Sequence, residues 1–282
     1  MNNIFDIKRF GLVFRKDLME GWKRYALLFL TMFGIMAIII TWNYFDYYDD
    51  IAQGYRSNYE KEILRYIPLL FGAFGLLFAS TFMNPMNSKL KKITYLVSPS
   101  SNLEKYLTRW IIVTVVYIIS FFIAMWFADA IRVAICSARY PDLDIAFIDL
   151  TKLINLNPNW DASYLFPYKW VFFLCVATYS LFQSLFILGS TFWEKTSFVK
   201  TFTVGASIVF LYVMICRWAI LFFYGTFDKF ANVLNSFDSA KRSNMNEDIS
   251  LTITISVISA FTLINWTLAF FRFRESEIIK RL

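Results

Sequence analysis

The sequence predicts an all-α, polytopic membrane protein with six transmembrane helices. Hydrophobic residues make up 58% of the 282-residue chain and charged residues 17%, whereas a soluble domain holds about 45–50% and about 25%. Several stretches reach the ~18–20 apolar residues that cross a hydrocarbon layer of ~30 Å. Lysine and arginine gather between alternate stretches, as they do in the loops that set membrane topology. We therefore expect residues 1–282 to form a single transmembrane domain.

Six apolar stretches are expected to span the membrane. They lie at about residues 25–42, 67–83, 110–131, 170–192, 202–224 and 249–271. Pro68 is expected in the first turn of the second span, where its missing amide hydrogen costs little. The first span follows a charged segment that has no small-residue cleavage pattern, so we expect no cleavable signal peptide.

The distribution of charge predicts that the N- and C-termini are both cytoplasmic. Seventeen of the 28 Lys and Arg residues fall before the first span, after the last span, or in loops 84–109 and 193–201. The other loops hold ten of these basic residues but thirteen of the 21 acidic ones. Because cytoplasmic loops carry the excess of Lys and Arg, the net charge of +7 is a topology signal. Basic residues placed beside membrane boundaries do not favour a nucleic-acid partner.

The sequence lacks the residues that several classes of catalytic and binding site require. Without any histidine, the chain has no HExxH zinc site, no Ser-His pair and no histidine acid–base catalyst. It has no phosphate-binding or dinucleotide-binding glycine motif, and stretch 84–109 is far shorter than a nucleotide-binding domain of roughly 100–200 residues. Cys136, Cys175 and Cys216 show no paired spacing. We expect no enzyme activity, no cofactor and no metal, and any ATPase must be another chain.

The first 24 residues predict an amphipathic helix. Apolar residues recur there at spacings of three and four, which places them on one helix face: Ile7, Phe10, Phe14, Leu18 and Trp22. Most of the basic residues lie off that stripe. We expect this helix to lie in the inner membrane interface, attracted by anionic lipid. The alternative is a solvated segment that only directs topology.

Two charged positions fall at membrane depth. Arg217 lies about two-thirds of the way along the fifth span, where a charge is costly and often functional. Its long side chain can also extend to the outer surface, so anchoring and a paired or pore-lining role both stay open. Asp129 and Arg132 lie three residues apart at the outer end of the third span. This is the spacing of a local ion pair, interpreted most simply as a marker of the membrane boundary.

The loop SKLKKITYLVSPSSNLEKYLTRW, residues 88–110, predicts a stiff cytoplasmic elbow. Pro99 ends any helix that precedes it. Ser101 and Glu104 have the spacing of a capping box, so a helix should begin at Asn102 and continue into the third span without a break. Before the turn, a short amphipathic helix is expected to present apolar and basic residues: Leu90, Ile93 and Leu96 beside Lys89, Lys91 and Lys92. The alternative is an ordinary basic loop.

The run TFMNPMNSKLKKITYLVSPSSNLEKYLTRWII resembles the permease subunits of type-2 ABC exporters, especially small six-span members from Bacteroidetes-like bacteria. Those proteins have a basic loop after the second span, a proline–serine turn and a Leu-Glu-Lys-aromatic helix start. The opening IKRFGLVFRKDLMEGWKRYALL looks like the N-terminal helix of the same group. The resemblance covers roughly residues 5–115, and beyond it only the number of spans agrees. Where such relatives carry Leu-Pro before the serines, this chain has Val97-Ser98-Pro99, which shifts the register of the turn.

The resemblance implies an exporter permease subunit in the bacterial cytoplasmic (inner) membrane. Two permease subunits, identical or different, would pair around a path for the substrate, and separate ABC ATPase subunits would dock on the cytoplasmic face. The elbow would be the coupling helix, and the N-terminal helix would be the connector. Leu90, Ile93 and Leu96 would fill a groove in the ATPase, while the three loop lysines would pair with acidic residues or lipid headgroups.

Two other functions stay open from the sequence. One is a non-transporting membrane protein, such as an immunity, sensory or assembly factor that has no ATPase partner. The other is a channel or transporter that does not depend on ATP. A neighbouring reading frame for an ATPase with Walker motifs would favour the permease, and a lone gene would favour the non-transporting protein.

Overall fold

The chain folds into a bundle of helices. The computed structural model describes residues 5–52, 59–86, 93, 95, 99–141, 143, 145–155, 164–193, 196–224 and 247–278. Within these ranges the regular structure is helical, apart from one isolated bridge between Ile154 and Phe166. The all-α class predicted from the sequence is confirmed for this part of the chain.

Long helices make up most of the described chain. They are α1 (Ile7–Ala52), α2 (Tyr59–Ala79), α3 (Asn102–Ile111), α4 (Tyr117–Arg139), α5 (Lys169–Phe192), α6 (Ser197–Tyr224) and α7 (Glu247–Ile278). A π-helical turn, Ile112–Val116, joins α3 to α4, and short 3-10 turns lie at Asn84–Met86 and Leu150–Leu153.

Six helical segments are long and apolar enough to cross a membrane. They are Ile7–Ile51, Leu64–Met86, Asn102–Arg139, Lys169–Phe192, Ser197–Phe222 and Ile249–Glu275, and each overlaps one predicted span. On α6, the side chains of Phe202, Phe210 and Trp218 are 61%, 63% and 71% exposed. Large apolar side chains exposed in such number mark a surface that water does not cover. The chain is therefore a multi-pass membrane protein.

The two ends of the bundle differ in composition. The starts of α1, α3 and α6 and the ends of α5 and α7 lie at one end, named here the basic end. The last turns of α1 and α4 meet residues 143, 145–155 and 164–168 at the other end, named here the loop end. The basic end carries the loops and helix starts in which the sequence concentrates Lys and Arg.

Pro68 lies inside α2, so the prediction that it sits in the first turn of that helix is wrong. The helix begins at Tyr59 because the residues before the apolar run, YEKEILRY, include several strong helix formers. A proline inside a helix removes one backbone hydrogen bond, and membrane helices tolerate this where neighbouring groups compensate. The prediction assumed that the helix begins where the apolar run begins, whereas the helix begins eight residues earlier, at Tyr59.

Helix α1 contains both the predicted N-terminal helix and the predicted first span. It runs for 46 residues without a break, which corresponds to about 69 Å at 1.5 Å per residue. This length is more than twice a hydrocarbon layer of ~30 Å. Ile7 and Trp22, from the predicted apolar stripe, are 76% and 60% exposed. The helix therefore extends well beyond its apolar run at the basic end.

One core lies between α1, α2 and α4. Helix α1 contributes a ridge with one residue at every fourth position: Met32, Met36, Ile40, Tyr44 and Tyr48. Residues four apart share a helix face and form a ridge that packs into the groove of a neighbouring helix. On α4, the small residues Ala124 and Ala128 are fully buried, which lets the helices approach closely.

A second core lies at the basic end, where α2, α3, α5 and α7 meet. It contains Phe82, Met86, Tyr106, Ile187 and Phe273, among others. The hydroxyl of Tyr106 donates to the backbone carbonyl of Trp266 at 2.8 Å. The ring of Tyr106 packs edge-on against the rings of Phe82 and Phe270. These contacts fix the start of the third span against the last helix.

Candidate functional site

A capping box begins α3 at the residue predicted from the sequence. Ser101 has an extended backbone, and its Oγ accepts a hydrogen bond from the Glu104 amide at 3.2 Å. The Glu104 carboxylate accepts in return from the Ser101 amide at 3.0 Å. The two side chains thus satisfy two amides that a helix start leaves unpaired. Both residues were predicted as part of the elbow, and the capping box predicted for them is confirmed.

Glu104 also binds the start of α1, a contact that the sequence does not reveal. Arg9 donates to its carboxylate through Nε at 2.7 and 3.0 Å and through Nη2 at 2.7 Å. The backbone amide of Asp6 adds a further hydrogen bond at 2.8 Å. The Glu104 carboxylate therefore lies at the N-terminal ends of two helices, where both helix dipoles favour a negative charge. The side chain is completely buried, and these donors compensate for its lost hydration.

A second ion pair joins the same two helices further along. Arg109 Nε on α3 lies 3.0 Å from Asp17 Oδ2 on α1, with side chains 10% and 1% exposed. No aligned hydrogen bond joins these two groups within the described residues, so they attract each other as charges. Arg109 Nη1 donates instead to the hydroxyl of Tyr25 at 3.1 Å. The pair is shielded from water, which makes the loss of either partner costly.

The two ion pairs fix how α1 and α3 lie against each other. Along α1 the charges come in the order Arg9 then Asp17, and along α3 in the order Glu104 then Arg109. At each of the two pairs, the charge on α1 is opposite to the charge on α3. The pairs follow each other in the same order along both helices, so the two helices run in the same direction. A shift of one helix along the other would separate both pairs. We name these four residues the charge clasp.

Tyr95, in the part of the elbow that precedes Pro99, packs against this assembly. Its side chain is 5% exposed, and its ring packs edge-on against that of Phe273 on α7, with centroids 6.5 Å apart. The charged ends of Lys105 and Arg109 lie 5.6 and 5.9 Å from the centre of the Tyr95 ring. A cation at this distance from an aromatic ring is attracted to its face. Tyr95 therefore contacts both α3, beside the clasp, and the last helix.

The other residues of the predicted coupling segment fall outside or at the edge of this assembly. Ile93 is 63% exposed and Pro99 is exposed. Lys89, Leu90, Lys91, Lys92 and Leu96 lie outside the described residues. Of the predicted set, the structure thus brings together Ser101 and Glu104, and it leaves Ile93 facing away from the bundle.

The helical path from the elbow into the third span contains one wide turn. The π-helical turn Ile112–Val116 separates α3 from α4, where the sequence predicted an unbroken helix. Gln183 on α5 is buried against this turn, with its Nε2 3.4 Å from the Val113 carbonyl. Such turns insert one extra residue into a helix and are frequent at functional sites. The wide turn changes the regular pattern of backbone hydrogen bonds, and the buried side-chain amide of Gln183 can donate to the Val113 carbonyl there.

Three members of the charge clasp, Arg9, Asp17 and Arg109, were missed as site residues. The sequence does hold a signal for Asp17, because it falls three and seven residues after Phe14 and Phe10. Those spacings place this acid on the apolar stripe of an otherwise basic helix. A carboxylate on an apolar face needs a buried cation as a partner. Which cation it meets is a matter of tertiary packing.

The predicted membrane-depth charges occupy different surroundings. Arg217 is exposed on α6. Asp129 and Arg132 form the expected ion pair at 2.6 Å, but both are buried at the loop end. Arg132 also donates to the Tyr48 hydroxyl and to the Ala146 carbonyl. This pair anchors the following loop to the end of α4.

A third polar contact at the loop end ties α1 to the residue that follows α4. The hydroxyl of Tyr140 donates to the carboxylate of Asp49. Burial raises the pKa of the Tyr140 hydroxyl, so this group stays a proton donor. Arg139 pairs with the other oxygen of Asp49 at 3.5 Å. The last turns of α1 and α4 are thus joined by polar contacts outside the apolar core.

Within the described ranges, no three acidic or thiol side chains are placed to hold a metal ion. The cysteines lie apart: Cys136 is buried in the first core, Cys175 is exposed and Cys216 is half-buried.

No protein-family model, curated protein or solved structure matches the chain. The contacts described above therefore define the fold and the charge clasp.

Proposed function

We propose that this protein is the permease subunit of an ABC-type exporter, moving a substrate across a bacterial inner membrane with the help of a separate ATPase subunit. The charge clasp is the observation that carries this proposal. It joins the start of α1 to α3, which is both the second half of the elbow and the start of the third span. A docked ATPase that displaces the elbow would therefore move the third span directly.

The stiffness of this connection has identifiable sources. Glu104 is held by its capping partner Ser101, by Arg9 and by the amide of Asp6. Asp17 and Arg109 add a buried pair further along the same two helices. Bonds to charged groups are roughly twice as strong as neutral ones, and buried pairs resist separation because the separated charges would lose their compensation.

The orientation in the proposal rests on charge. The two terminal segments and the loops 84–109 and 193–201 together carry 17 of the 28 Lys and Arg residues, and cytoplasmic segments hold this excess. We therefore place both termini and the elbow in the cytoplasm. The part of α1 beyond its apolar run then acts as the connector, lying at the inner membrane interface and against the elbow.

The exposed surface of α6 supports a second permease subunit and lipid as partners. Apolar residues lie on all sides of this helix, and none of the described residues in its most apolar stretch is buried. A helix of this kind is covered by lipid or by another helix. In the proposed exporter, the identical or related second subunit contacts part of this surface, and lipid covers the rest.

Co-purification of the tagged full chain from its native membrane tests the proposal. We expect mass spectrometry to identify an ATPase with Walker motifs in mild detergent. Ile93→Asp should lower its recovery about tenfold, because a charge placed in an apolar anchor costs more than 1 kcal/mol. The variant Leu90→Asp should act in the same direction.

The matched control places the same charge at the other end of the bundle. Phe147 is 55% exposed at the loop end, so Phe147→Asp should leave ATPase recovery unchanged. If the wild-type chain yields no such ATPase, the permease assignment is wrong, and the two alternatives that need no ATPase take its place: a non-transporting membrane protein and an ATP-independent channel or transporter. Equal recovery with Ile93→Asp and Phe147→Asp would remove the coupling role from the elbow.

A further inference from the structure

A cavity of about 280 Å³ lies at the loop end, between α1 and the loop that follows α4. Its polar lining comprises Tyr44, Tyr47 and Tyr48 on α1 and Asp149 and Lys152 on the loop. Apolar residues, including Leu64 on α2 and Ile148, complete the wall. The volume is close to the lower end of small-ligand pockets, roughly 300 Å³. It suits a headgroup or a small metabolite.

The loop wall of this cavity is held in place by the buried pair at the end of α4. The carboxylate of Asp129 accepts the backbone amide of Ile148 at 2.8 Å. Arg132 donates to the carbonyl of Ala146 at 2.6 Å. On its other side, the loop exchanges backbone hydrogen bonds with residues 165 and 166 at 2.9 Å. A wall fixed from both sides gives a site that is formed before a ligand arrives.

The tyrosines give the cavity an aromatic wall with a hydroxyl donor. Their rings lie close together, with centroids 5.2 Å apart for Tyr47 and Tyr48. The guanidinium of Arg132 lies 4.0 Å from the centre of the Tyr44 ring. The Tyr48 hydroxyl accepts a hydrogen bond from Arg132 at 3.2 Å. The hydrogen of the Tyr48 hydroxyl therefore points away from Arg132, and Tyr48 can donate it to another acceptor.

Among the described residues that line the cavity, the charged side chains are one anion, Asp149, and one cation, Lys152. Asp149 accepts hydrogen bonds from the hydroxyl and the amide of Thr151 at 2.6 and 3.0 Å. These bonds lower the pKa of the Asp149 carboxyl, so it is ionised at neutral pH. Lys152, one turn later, contributes a positive charge to the same wall. Behind this wall, the opposite charges of Asp129 and Arg132 also cancel.

We propose that this cavity binds a zwitterionic amphiphile with a primary ammonium group and a phosphate, the headgroup chemistry of an ethanolamine phospholipid. The two charges of the described lining balance each other, so a ligand with a net charge would leave one charge without a partner. A zwitterion places its ammonium near Asp149 and the tyrosine rings. Its phosphate faces Lys152 and the hydroxyl of Tyr48.

The position of the cavity indicates a membrane source for this ligand. Tyr44, Tyr47 and Tyr48 directly follow the first apolar run of the sequence, at the level where aromatic residues meet lipid headgroups. A free zwitterion of the same chemistry, such as glycerophosphoethanolamine, can reach the cavity from the aqueous side. The inference depends on the membrane placement of the chain and not on an ATPase partner.

Native mass spectrometry of the full chain in detergent tests this site with two lipids of equal chain length. We expect phosphatidylethanolamine to bind about tenfold more tightly than anionic phosphatidylglycerol, as expected for one charge-assisted contact. Asp149→Asn keeps an acceptor for Thr151 but removes the charge, so it should abolish this preference. Lys152→Met should weaken binding of both lipids. Asp46, exposed on α1 and outside the lining, gives the matched control Asp46→Asn.

Competition with soluble glycerophosphoethanolamine separates the two sources. Displacement of the lipid means that the cavity also accepts the free zwitterion, and retention means that the acyl chains contribute to binding. Both results agree with the proposed headgroup chemistry. Equal binding of the two lipids by the wild-type protein would overturn it. So would an unchanged preference in Asp149→Asn, or an unchanged affinity for both lipids in Lys152→Met, once the melting temperatures of these variants match that of Asp46→Asn.

Discussion

Arg9 and Glu104, 95 residues apart in the chain, form an ion pair in which two guanidinium nitrogens reach one carboxylate at 2.7 to 3.0 Å. The contact joins the first turn of α1 to the first turn of α3. Glu104 thereby has two tasks, since it also closes the capping box with Ser101. A change at this residue alters a local helix start and a long-range helix contact together, and experiments must separate the two.

A double-mutant cycle on Arg9 and Glu104 isolates the long-range part. We expect Arg9→Met and Glu104→Gln to be coupled by about 1–2 kcal/mol in the free energy of unfolding, because the pair is bidentate but Arg9 is partly exposed. Unfolding in mixed detergent micelles measures this energy. Lys16 and Glu20, an exposed pair at 3.7 Å on α1, supply the control cycle, with coupling below about 0.5 kcal/mol. Similar coupling in both cycles would contradict a special role for Glu104.

The buried pair of Asp17 and Arg109 should respond differently to single and double substitutions. Asp17→Asn leaves the Arg109 charge buried without its partner, which we expect to cost about 3 kcal/mol or more of unfolding free energy. Combining Asp17→Asn with Arg109→Met removes the stranded charge and should recover at least half of that loss. Thermal unfolding of the three variants measures the difference. If the double variant is less stable than Asp17→Asn, the stranded Arg109 charge is not the main cost of the single substitution, and Arg109 stabilises the fold through its other contacts.

Sequence reasoning succeeded where the determining interactions are local. The six spans follow from runs of apolar residues, and the capping box of Ser101 and Glu104 follows from their spacing of three. Asp129 and Arg132 likewise pair because they lie one helical turn apart. In each case the partners are close along the chain, so that their spacing alone encodes the contact.

The charge clasp and the length of α1 were beyond this kind of reasoning. Arg9 meets Glu104 only because α1 and α3 pack side by side, and nothing in the spacing of distant residues specifies that neighbour. The first span was predicted to begin at Tyr25, since hydropathy marks where a membrane begins and not where a helix begins. The same reasoning misplaced Pro68, because α2 starts among polar helix formers before the apolar run.

Two glycines on α2 offer a matched test of helix packing. A Cβ atom on Gly75 would overlap the hydroxyl and ring of Tyr179 on α5, whereas a Cβ on Gly72 would meet nothing within 4 Å. We expect Gly75→Val to lower the free energy of unfolding by about 2 kcal/mol through overpacking. Gly72→Val should be neutral or slightly stabilising, because a glycine in a helix is entropically unfavourable. Equal effects would mean that α2 and α5 are not in close contact.

The contact between Asp129 and the amide of Ile148 predicts a change in local hydrogen exchange. Asp129→Ala removes the acceptor that binds this amide at 2.8 Å and leaves Arg132 buried without its carboxylate. We expect exchange at Ile148 to become at least about tenfold faster, equivalent to about 1.4 kcal/mol of lost protection. Asp149→Ala is the control, because Asp149 accepts the amide of Thr151 instead. It should speed exchange at Thr151 while Ile148 stays protected, and slow exchange at Ile148 in Asp129→Ala would show that Asp129 does not anchor the loop.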